Sequence, residues 1–224
     1  MTESMHPLYI DDALLVLDKP ADLLSVPGRG KDKQDCLATR AQRVWSDALV
    51  VHRLDMATSG LILMARNKLA QRTLSDAFAH RRVLKRYLAV VEGALAAPQD
   101  LWGLIELPIA LDWPNRPLRV IDHERGKPSA TRWRVLGSDP HWQAFANAAD
   151  DAVAPSTRLE LEPLSGRSHQ LRVHLQALGH AILGDRLYGS APARSARLLL
   201  HAWRLELAHP VTGVTLQFES PPPF

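Results

Sequence analysis

The sequence predicts a mixed α and β fold with a mainly antiparallel sheet, and three observations support this class. The 224 residues are 46% hydrophobic and 23% charged, which is typical of a globular chain with a sizeable core. The 16 prolines favour many short elements over long helices. Apolar runs bounded by turn residues also outnumber stretches with helical spacing. We expect a single domain that spans residues 1–224.

Composition excludes several other classes of protein. No window approaches the roughly 18 consecutive apolar residues of a membrane-spanning helix, and the start "MTESMHPLYIDD" lacks the basic-then-apolar order of a secretory signal. Cys36 is the only cysteine, so neither an internal disulfide nor a cysteine metal cluster can form. We therefore expect a cytoplasmic protein with no membrane partner. The lack of a spare amphipathic stripe favours a monomer.

The first part of the chain predicts one strand, one loop and two helices. "LLVLDK" at 14–19 indicates a buried strand, and residues 20–34 form a breaker-rich surface loop. Helical spacing follows at 35–45 and again at 67–82, where Asn67 is the expected N-cap. The apolar stripe of the second helix comprises Leu69, Ala70, Thr73, Leu74, Ala77 and Phe78.

The rest of the chain is dominated by strand-like runs. These runs are residues 83–93, 102–109, 129–137, 141–147, 156–164, 198–207 and 211–219, the last with a hairpin-like pattern. Residues 147–156 are the expected loop of another hairpin. A third helix is predicted at 168–179, where Gly179 ends it. One side of this helix should carry Leu171, Leu175 and Leu178.

Positive charge is concentrated between residues 66 and 86. In a chain of net charge +3, this segment carries a single acid, Asp76. Its basic residues are Arg66, Lys68, Arg72, Arg81, Arg82, Lys85 and Arg86. A solvated helix face is the simplest interpretation, and contact with phosphate groups is the alternative.

Several common catalytic classes lack their motif in this chain. His169, His174 and His180 are spaced by five and six residues, so they do not share a helical face as a metal-binding pair four apart would. No Gly-x-Ser-x-Gly elbow occurs, and Gly28 and Gly30 match neither a phosphate-binding loop nor a dinucleotide fingerprint. We therefore expect no metal and no nucleotide cofactor.

One stretch, "VHRLDMATSG" at 51–60, places charge between two apolar runs. If residues 50–55 form a strand that ends in a turn, Arg53 and Asp55 point to the same face. A local ion pair at a strand end is one interpretation. The other is a carboxylate kept ionised by arginine for covalent catalysis, with Arg167, in a loop before a helix, as a second basic partner.

Taken together, these motifs resemble those of the RluA-type family of RNA pseudouridine synthases. The matching stretches are "LVLDKPADLLSVPG", "HRLDMATSG", "LKRYLAVV", "GRSHQLRVHLQALGHAILGDRLYG" and "LLLHAWRLEL". The resemblance implies one catalytic domain, a long mixed sheet bent into two halves around a central cleft, without the N-terminal RNA-binding domain of some relatives. Two departures are Asp22 and Ala181, where relatives commonly have glycine and proline. Aspartate tolerates the left-handed conformation that such a glycine adopts better than most residues do.

By this resemblance, Asp55 is the essential carboxylate of an isomerisation that needs no cofactor. It would attack either the ribose C1′ or the uracil ring while the glycosidic bond breaks, and the group that removes the C5 proton is not identified. Arg53 would fill the place of the flipped nucleotide, and Tyr87 would stack on the flipped uracil. Arg167 would pair with the carboxylate, and Leu171 would line the same pocket.

The resemblance also implies an RNA substrate. Phosphates would contact the basic rim of Arg81, Arg82, Lys85 and Arg86. The stretches "LDWPNRP" and "ERGKPSATRW" resemble the branch that modifies both a tRNA anticodon stem-loop and a 23S ribosomal RNA hairpin, so either or both are expected substrates. Two alternatives are a non-catalytic RNA-binding or assembly protein that keeps the fold, and a glycosidase that uses Asp55 as nucleophile. The glycosidase would need a second acid, for which the motifs offer no candidate.

Overall fold

The structure is a computed structural model in which the chain divides into two compact units. The first unit contains the described residues up to Lys85 together with His201–Pro222, and the second contains those of Arg86–Leu200 with Pro223–Phe224. The strand predicted at 141–147 and most of the loop predicted at 147–156 lie outside the described residues. The structure describes residues 6–138, 155–190 and 195–224.

The mixed α and β class and the predominance of antiparallel strand pairs are confirmed. In the described part of the chain the strands are β1 (Tyr9–Ile10), β2 (Leu14–Lys19), β3 (Leu49–Val50), β4 (Ser59–Ala65), β5 (Leu84–Glu92), β6 (Gly103–Glu106), β7 (Ile109–Leu111), β8 (Arg119–Ile121), β9 (Ala130–Ser138), β10 (Ser156–Pro163), β11 (Leu200–Ala208) and β12 (Thr215–Glu219). The helices are α1 (Leu37–Val44), α2 (Lys68–Ala79) and α3 (Gln170–Ala177), with a 3-10 turn at Lys31–Lys33. Among these described helices, none has the length and apolar character needed to cross a membrane.

β4 is central to the sheet of the first unit. It pairs antiparallel with β2 on one side and parallel with β11 on the other, where Ser59 lies opposite His201. β1 extends the sheet beyond β2, β12 pairs with β11, and β3 pairs with β4. β4 was not predicted from the sequence, because all seven residues of "SGLILMA" are buried and show no alternation.

α2 confirms the predicted cap but corrects the predicted stripe. The Asn67 side chain accepts a 2.8 Å hydrogen bond from the Ala70 backbone N–H, which caps the helix. Ala70 and Leu74 are buried in the core of the first unit, with Phe78 packed against it. Leu69 is 68% exposed, and Thr73 is also exposed. These two positions lie about 100° around the helix from their buried neighbours, and the sheet covers only the narrower stripe.

The second unit is built on the antiparallel strand order β5-β10-β9-β6. Tyr87 lies opposite Leu161, and Leu161 in turn lies opposite Trp133. β7 and β8 form a separate two-stranded ribbon, of which only β7 overlaps a predicted run. The ribbon packs on α3 through a small core that contains Ile109 and Val173.

α3 is buried over most of its length. Residues 170–175 are all buried, whereas Leu178 is 37% exposed, so the predicted apolar side of the helix is wrong at that position. Gly179 ends the helix with a φ of 82°, as predicted. Asp22, where the family pattern favours glycine, likewise has a φ of 60°.

The three histidines near α3 have separate partners. His169 Nδ1 lies 2.7 Å from the Tyr188 hydroxyl, and His180 Nδ1 lies 2.7 Å from the Glu92 carbonyl oxygen. His174 bonds to hydroxyls of β9 and the residue before it, and burial lowers its pKa. These contacts account for the histidines as structural groups.

Candidate active site

Asp55 lies in a turn between two strands rather than at the end of a strand. β3 ends at Val50, and residues 51–55 adopt no regular structure, so the predicted strand over 50–55 is wrong. The predicted turn is present, because the Thr58 N–H donates a 3.1 Å hydrogen bond to the Asp55 carbonyl oxygen. Asp55 is partly buried, and Arg53 is exposed.

The backbone on both sides of Asp55 is held by buried polar side chains. Ser25 Oγ donates to the Leu54 carbonyl at 2.7 Å and accepts from the Leu54 N–H at 3.1 Å, so one hydroxyl satisfies both groups. Lys19 Nζ donates to the Met56 carbonyl at 2.9 Å. The two residues that flank the carboxylate in sequence are therefore each tied to the rest of the first unit.

Lys19 is the most unusual of these groups because its side chain is fully buried. Its Nζ also donates to the carbonyl oxygens of Pro20, at 2.8 Å, and Leu23, at 2.7 Å. A buried ammonium costs free energy unless its donors are used, and here three carbonyl oxygens accept from it. Lys19 therefore joins the end of β2, the following loop and the Asp55 turn.

A second buried network holds the strand that follows the turn. Ser59 Oγ lies 2.8 Å from His201 Nδ1, and His201 Nε2 lies 3.0 Å from the Ser220 carbonyl oxygen. The Ser220 hydroxyl donates in turn to the Asp18 carboxylate. Gly60 allows the close approach of β11, because a Cβ at this position would lie 2.3 Å from the Ala202 carbonyl oxygen.

His52 is a structural neighbour of the candidate catalytic residues. Its Nε2 accepts a 2.9 Å hydrogen bond from the Leu63 N–H, and its ring stacks on Phe78 with centroids 4.2 Å apart. Burial, with a smaller contribution from the charge of Lys85, lowers the pKa of His52 to about 3. His52 is therefore a neutral acceptor at physiological pH.

The other predicted substrate-binding residues belong to the second unit. Tyr87 lies on β5 and is partly buried. Leu171 lies in the first turn of α3 and is 7% exposed. Arg167 is partly buried in the loop before α3, and its Nε donates to the Pro128 carbonyl at 3.2 Å.

Gln170 holds the loop that carries Arg167. Its side-chain oxygen accepts from Ser165 Oγ at 2.7 Å and from the Arg167 N–H at 3.0 Å. Its amide nitrogen donates to the Ala130 carbonyl at 2.9 Å and to Thr131 Oγ1 at 3.0 Å. One buried amide therefore fixes the loop to β9.

The four residues of the predicted phosphate rim differ in their surroundings. Arg81 and Arg82 are exposed, with Arg82 also paired with Asp76. Lys85 is partly buried. The Arg86 side chain is 18% exposed and lies 3.2 Å from a Glu162 carboxylate oxygen, which favours a structural role over the predicted phosphate contact.

Arg86 belongs to a charged cluster on one face of the second unit's sheet. Three guanidinium groups lie 4.6–5.0 Å from the centre of the Trp102 ring, and two carboxylates lie between them. The arginines are Arg86, Arg132 and Arg134, and the acids are Glu160 and Glu162. Because the charges are paired and partly covered, the cluster stabilises the strand register.

Sequence reasoning missed the supporting residues Lys19, Ser25 and Gln170. All three lie in motifs that the resemblance quoted, but a residue type alone does not reveal which backbone groups it will meet. The one available signal was Lys19, a lysine at the end of a strand that was predicted to be buried.

Comparisons with known proteins identify the family. A family model described as RNA pseudouridylate synthase matches residues 13–177, which include the Asp55 turn, Tyr87 and the Arg167 loop. The dual-specificity RNA pseudouridine synthase RluA of Escherichia coli (strain K12) is 46% identical over 219 residues, 97% of this chain and 93% of the relative. The protein of the same name from Yersinia pestis is 45% identical over 217 residues, 96% of this chain and 98% of the relative.

Solved structures show the same fold. Human RNA Pseudouridylate Synthase Domain Containing 1 matches 100% of this chain and 86% of its own, with a TM-score of 0.77 and 30% identity. Human RNA Pseudouridylate Synthase Domain Containing 4 matches 97% of this chain and 88% of its own, with a TM-score of 0.69; at 24% identity it supports the fold alone. The chain belongs to the RNA pseudouridylate synthase family. It is accordingly an isomerase that acts on RNA.

Proposed function

We propose that Asp55 is the catalytic carboxylate of this pseudouridine synthase. The observation that carries the proposal is the anchored turn, in which the backbone on both sides of a partly buried aspartate is bonded to buried side chains. A group that must meet one atom of a substrate benefits from such pre-organisation, because positioning then costs little when the substrate binds. A surface ion pair would gain nothing from it.

The reaction moves one bond of uridine and needs no other reactant. The bond between N1 and C1′ breaks, a bond between C5 and C1′ forms, the C5 proton leaves and N1 gains a proton. Asp55 serves as the nucleophile, at either C1′ or the uracil ring, and carries the intermediate until the base has turned. Atoms and electrons balance without an oxidant, a metal or a nucleotide.

Access to C1′ requires that the uridine leave its stack, at a cost of a few kcal/mol. We propose that Arg53 occupies the vacated position, because its exposed planar guanidinium can stack on neighbouring bases. Tyr87 and Leu171 contact the flipped uracil, and Arg167 is a further substrate-binding residue of the same unit. A contact between a base and an aromatic ring contributes about 1–3 kcal/mol, which offsets the flipping cost.

We propose a tRNA anticodon stem-loop and a 23S ribosomal RNA hairpin as the substrates. The relatives at 45–46% identity are named dual-specificity enzymes, and they match almost the whole chain. Arg81, Arg82 and Lys85 are the proposed phosphate contacts, so RNA affinity should fall steeply as salt is raised.

The test is release of tritium from RNA labelled at uracil C5. The wild-type protein should release tritium without cleaving the RNA chain, whereas a glycosidase would release free base and a binding protein would release nothing. Asp55→Asn should abolish release and largely keep RNA affinity, measured by filter binding. Asp12→Asn, which changes an exposed carboxylate of the same unit, is the matched control and should keep full activity.

Two results would contradict the proposal. Undiminished tritium release by Asp55→Asn would show that the reaction does not require Asp55. If neither the anticodon stem-loop nor the ribosomal hairpin releases tritium but another RNA does, the activity stands and the proposed substrates are wrong.

A further inference from the structure

The ribbon of β7 and β8 ends in an exposed tryptophan. The tip comprises residues 112–118, and Trp113 within it is 65% exposed. A tryptophan this exposed is uncommon, because Trp is highly buried on average. The proposed catalytic residues lie elsewhere in the chain, so the catalytic proposal does not use this side chain.

The tip has a defined conformation. The Asp112 carboxylate accepts from the Asn115 N–H at 3.2 Å and from the Asn115 side-chain amide at 3.0 Å. The Arg116 Nε–H donates to the Trp113 carbonyl at 3.1 Å, and its guanidinium lies 4.3 Å from the centre of the indole ring. The ring is therefore oriented before any partner binds, with a cation on one of its faces.

The exposed charges of the ribbon and of the loop after β8 favour an anionic partner. Arg116 is exposed at the tip, and Arg125 and Lys127 are exposed at the opposite end of the ribbon, where Lys127 pairs with Ile109. The Asp122 carboxylate is occupied locally, because it accepts from the backbone N–H groups of Glu124 and Arg125 at 2.9 Å. Glu124 is the one exposed acid within residues 112–127, so the exposed charges of this segment are mainly positive.

The ribbon is attached to the helix that follows the Arg167 loop. Leu118 and Ile121 pack on a core that includes Val173 of α3. The Arg119 N–H donates to the Tyr188 hydroxyl at 2.8 Å, and the same hydroxyl lies 2.7 Å from His169 Nδ1. A partner bound at the tip would thus be held in a defined position relative to Arg167 within one unit.

We propose that the Trp113 ring, with Arg116, is a second RNA contact that stacks on an unpaired loop base other than the target uridine. An oriented aromatic face beside an exposed guanidinium matches the two chemical features of single-stranded RNA, a flat base and a charged backbone. A protein partner would more often be met by an apolar patch with a polar rim than by one ring beside a guanidinium. The inference rests on the proposed RNA substrates and adds a site to them.

A double-mutant cycle on binding tests this site. Equilibrium affinity is measured for an anticodon stem-loop RNA and for versions in which one loop nucleotide at a time is abasic. Trp113→Ala should weaken binding of the intact RNA by about 5- to 150-fold, the range expected for one stacked base. It should have little effect on the one abasic RNA that lacks the stacked base. Trp113→Phe should keep most of the affinity.

Controls separate stacking from charge and from exposure. Arg116→Lys keeps the charge and should weaken binding, because lysine lacks the planar group. Val211→Ala removes apolar surface from a side chain that is also 65% exposed, and it should bind as the wild type does.

Binding and catalysis are read separately, so the two proposals can fail independently. If Trp113→Ala and wild type bind every RNA equally, the second contact is overturned, whether or not tritium is released. If binding depends on Trp113 in the cycle but no tritium is released, the contact stands and the catalytic proposal fails. A uniform loss across intact and abasic RNAs would also overturn base stacking.

Discussion

Replacing Lys19 by methionine removes three hydrogen bonds and leaves the aliphatic volume almost unchanged. The bond to Leu23 is fully buried, so leaving the Leu23 carbonyl without a donor should lower the free energy of unfolding by about 2 kcal/mol. The bonds to Pro20 and Met56 are partly buried, and water can replace part of each. The loss of each bond should therefore lower the free energy of unfolding by about 1 kcal/mol. We expect Lys19→Met to lower the free energy of unfolding by about 4 kcal/mol.

Urea unfolding followed by circular dichroism measures this loss. Lys127→Met is the matched control, because Lys127 is exposed, and its change should stay within about 0.5 kcal/mol. If Lys19→Met does not fold, Lys19→Gln retains donor hydrogens and should be intermediate in stability. A Lys19→Met protein as stable as the control would refute the view that this ammonium holds the loop and the Asp55 turn.

Two further predictions concern pH and packing. The pKa of His52 is lowered to about 3 in the folded chain, so near pH 6.5 the unfolded chain binds a proton that the folded chain does not bind. The free energy of unfolding therefore falls as the pH drops through 6.5. His52 should account for about 2 kcal/mol of stability lost between pH 7 and 5. Urea unfolding at both pH values should show this loss reduced in His52→Gln, and an unchanged difference would contradict the prediction. Leu74→Ala should lose about 2–5 kcal/mol in the same assay, whereas Leu69→Ala should change stability by less than about 0.5 kcal/mol; equal losses would contradict the observed stripe.

The sequence determined those features that depend on neighbouring residues. Asn67 caps α2 with its own side chain, Gly179 ends α3, and "LLVLDK" forms β2 over 14–19. The two helix boundaries result from interactions within a few residues, and the strand follows from an apolar run before a breaker-rich loop, so each signal is present in the local pattern. The motifs likewise carried enough information to indicate the family, which the comparisons confirm.

Only the tertiary structure decided which distant groups meet. β4 is recognisable as a strand only from the partners that bury both of its faces, and Leu69 is exposed because the sheet covers one narrow side of α2. The bond from Lys19 to Met56 joins groups 37 residues apart, and Arg86 became part of an ion-pair cluster through acids on another strand. Such contacts depend on chain reversal and strand register over long sequence separations, so short-range sequence patterns do not predict them.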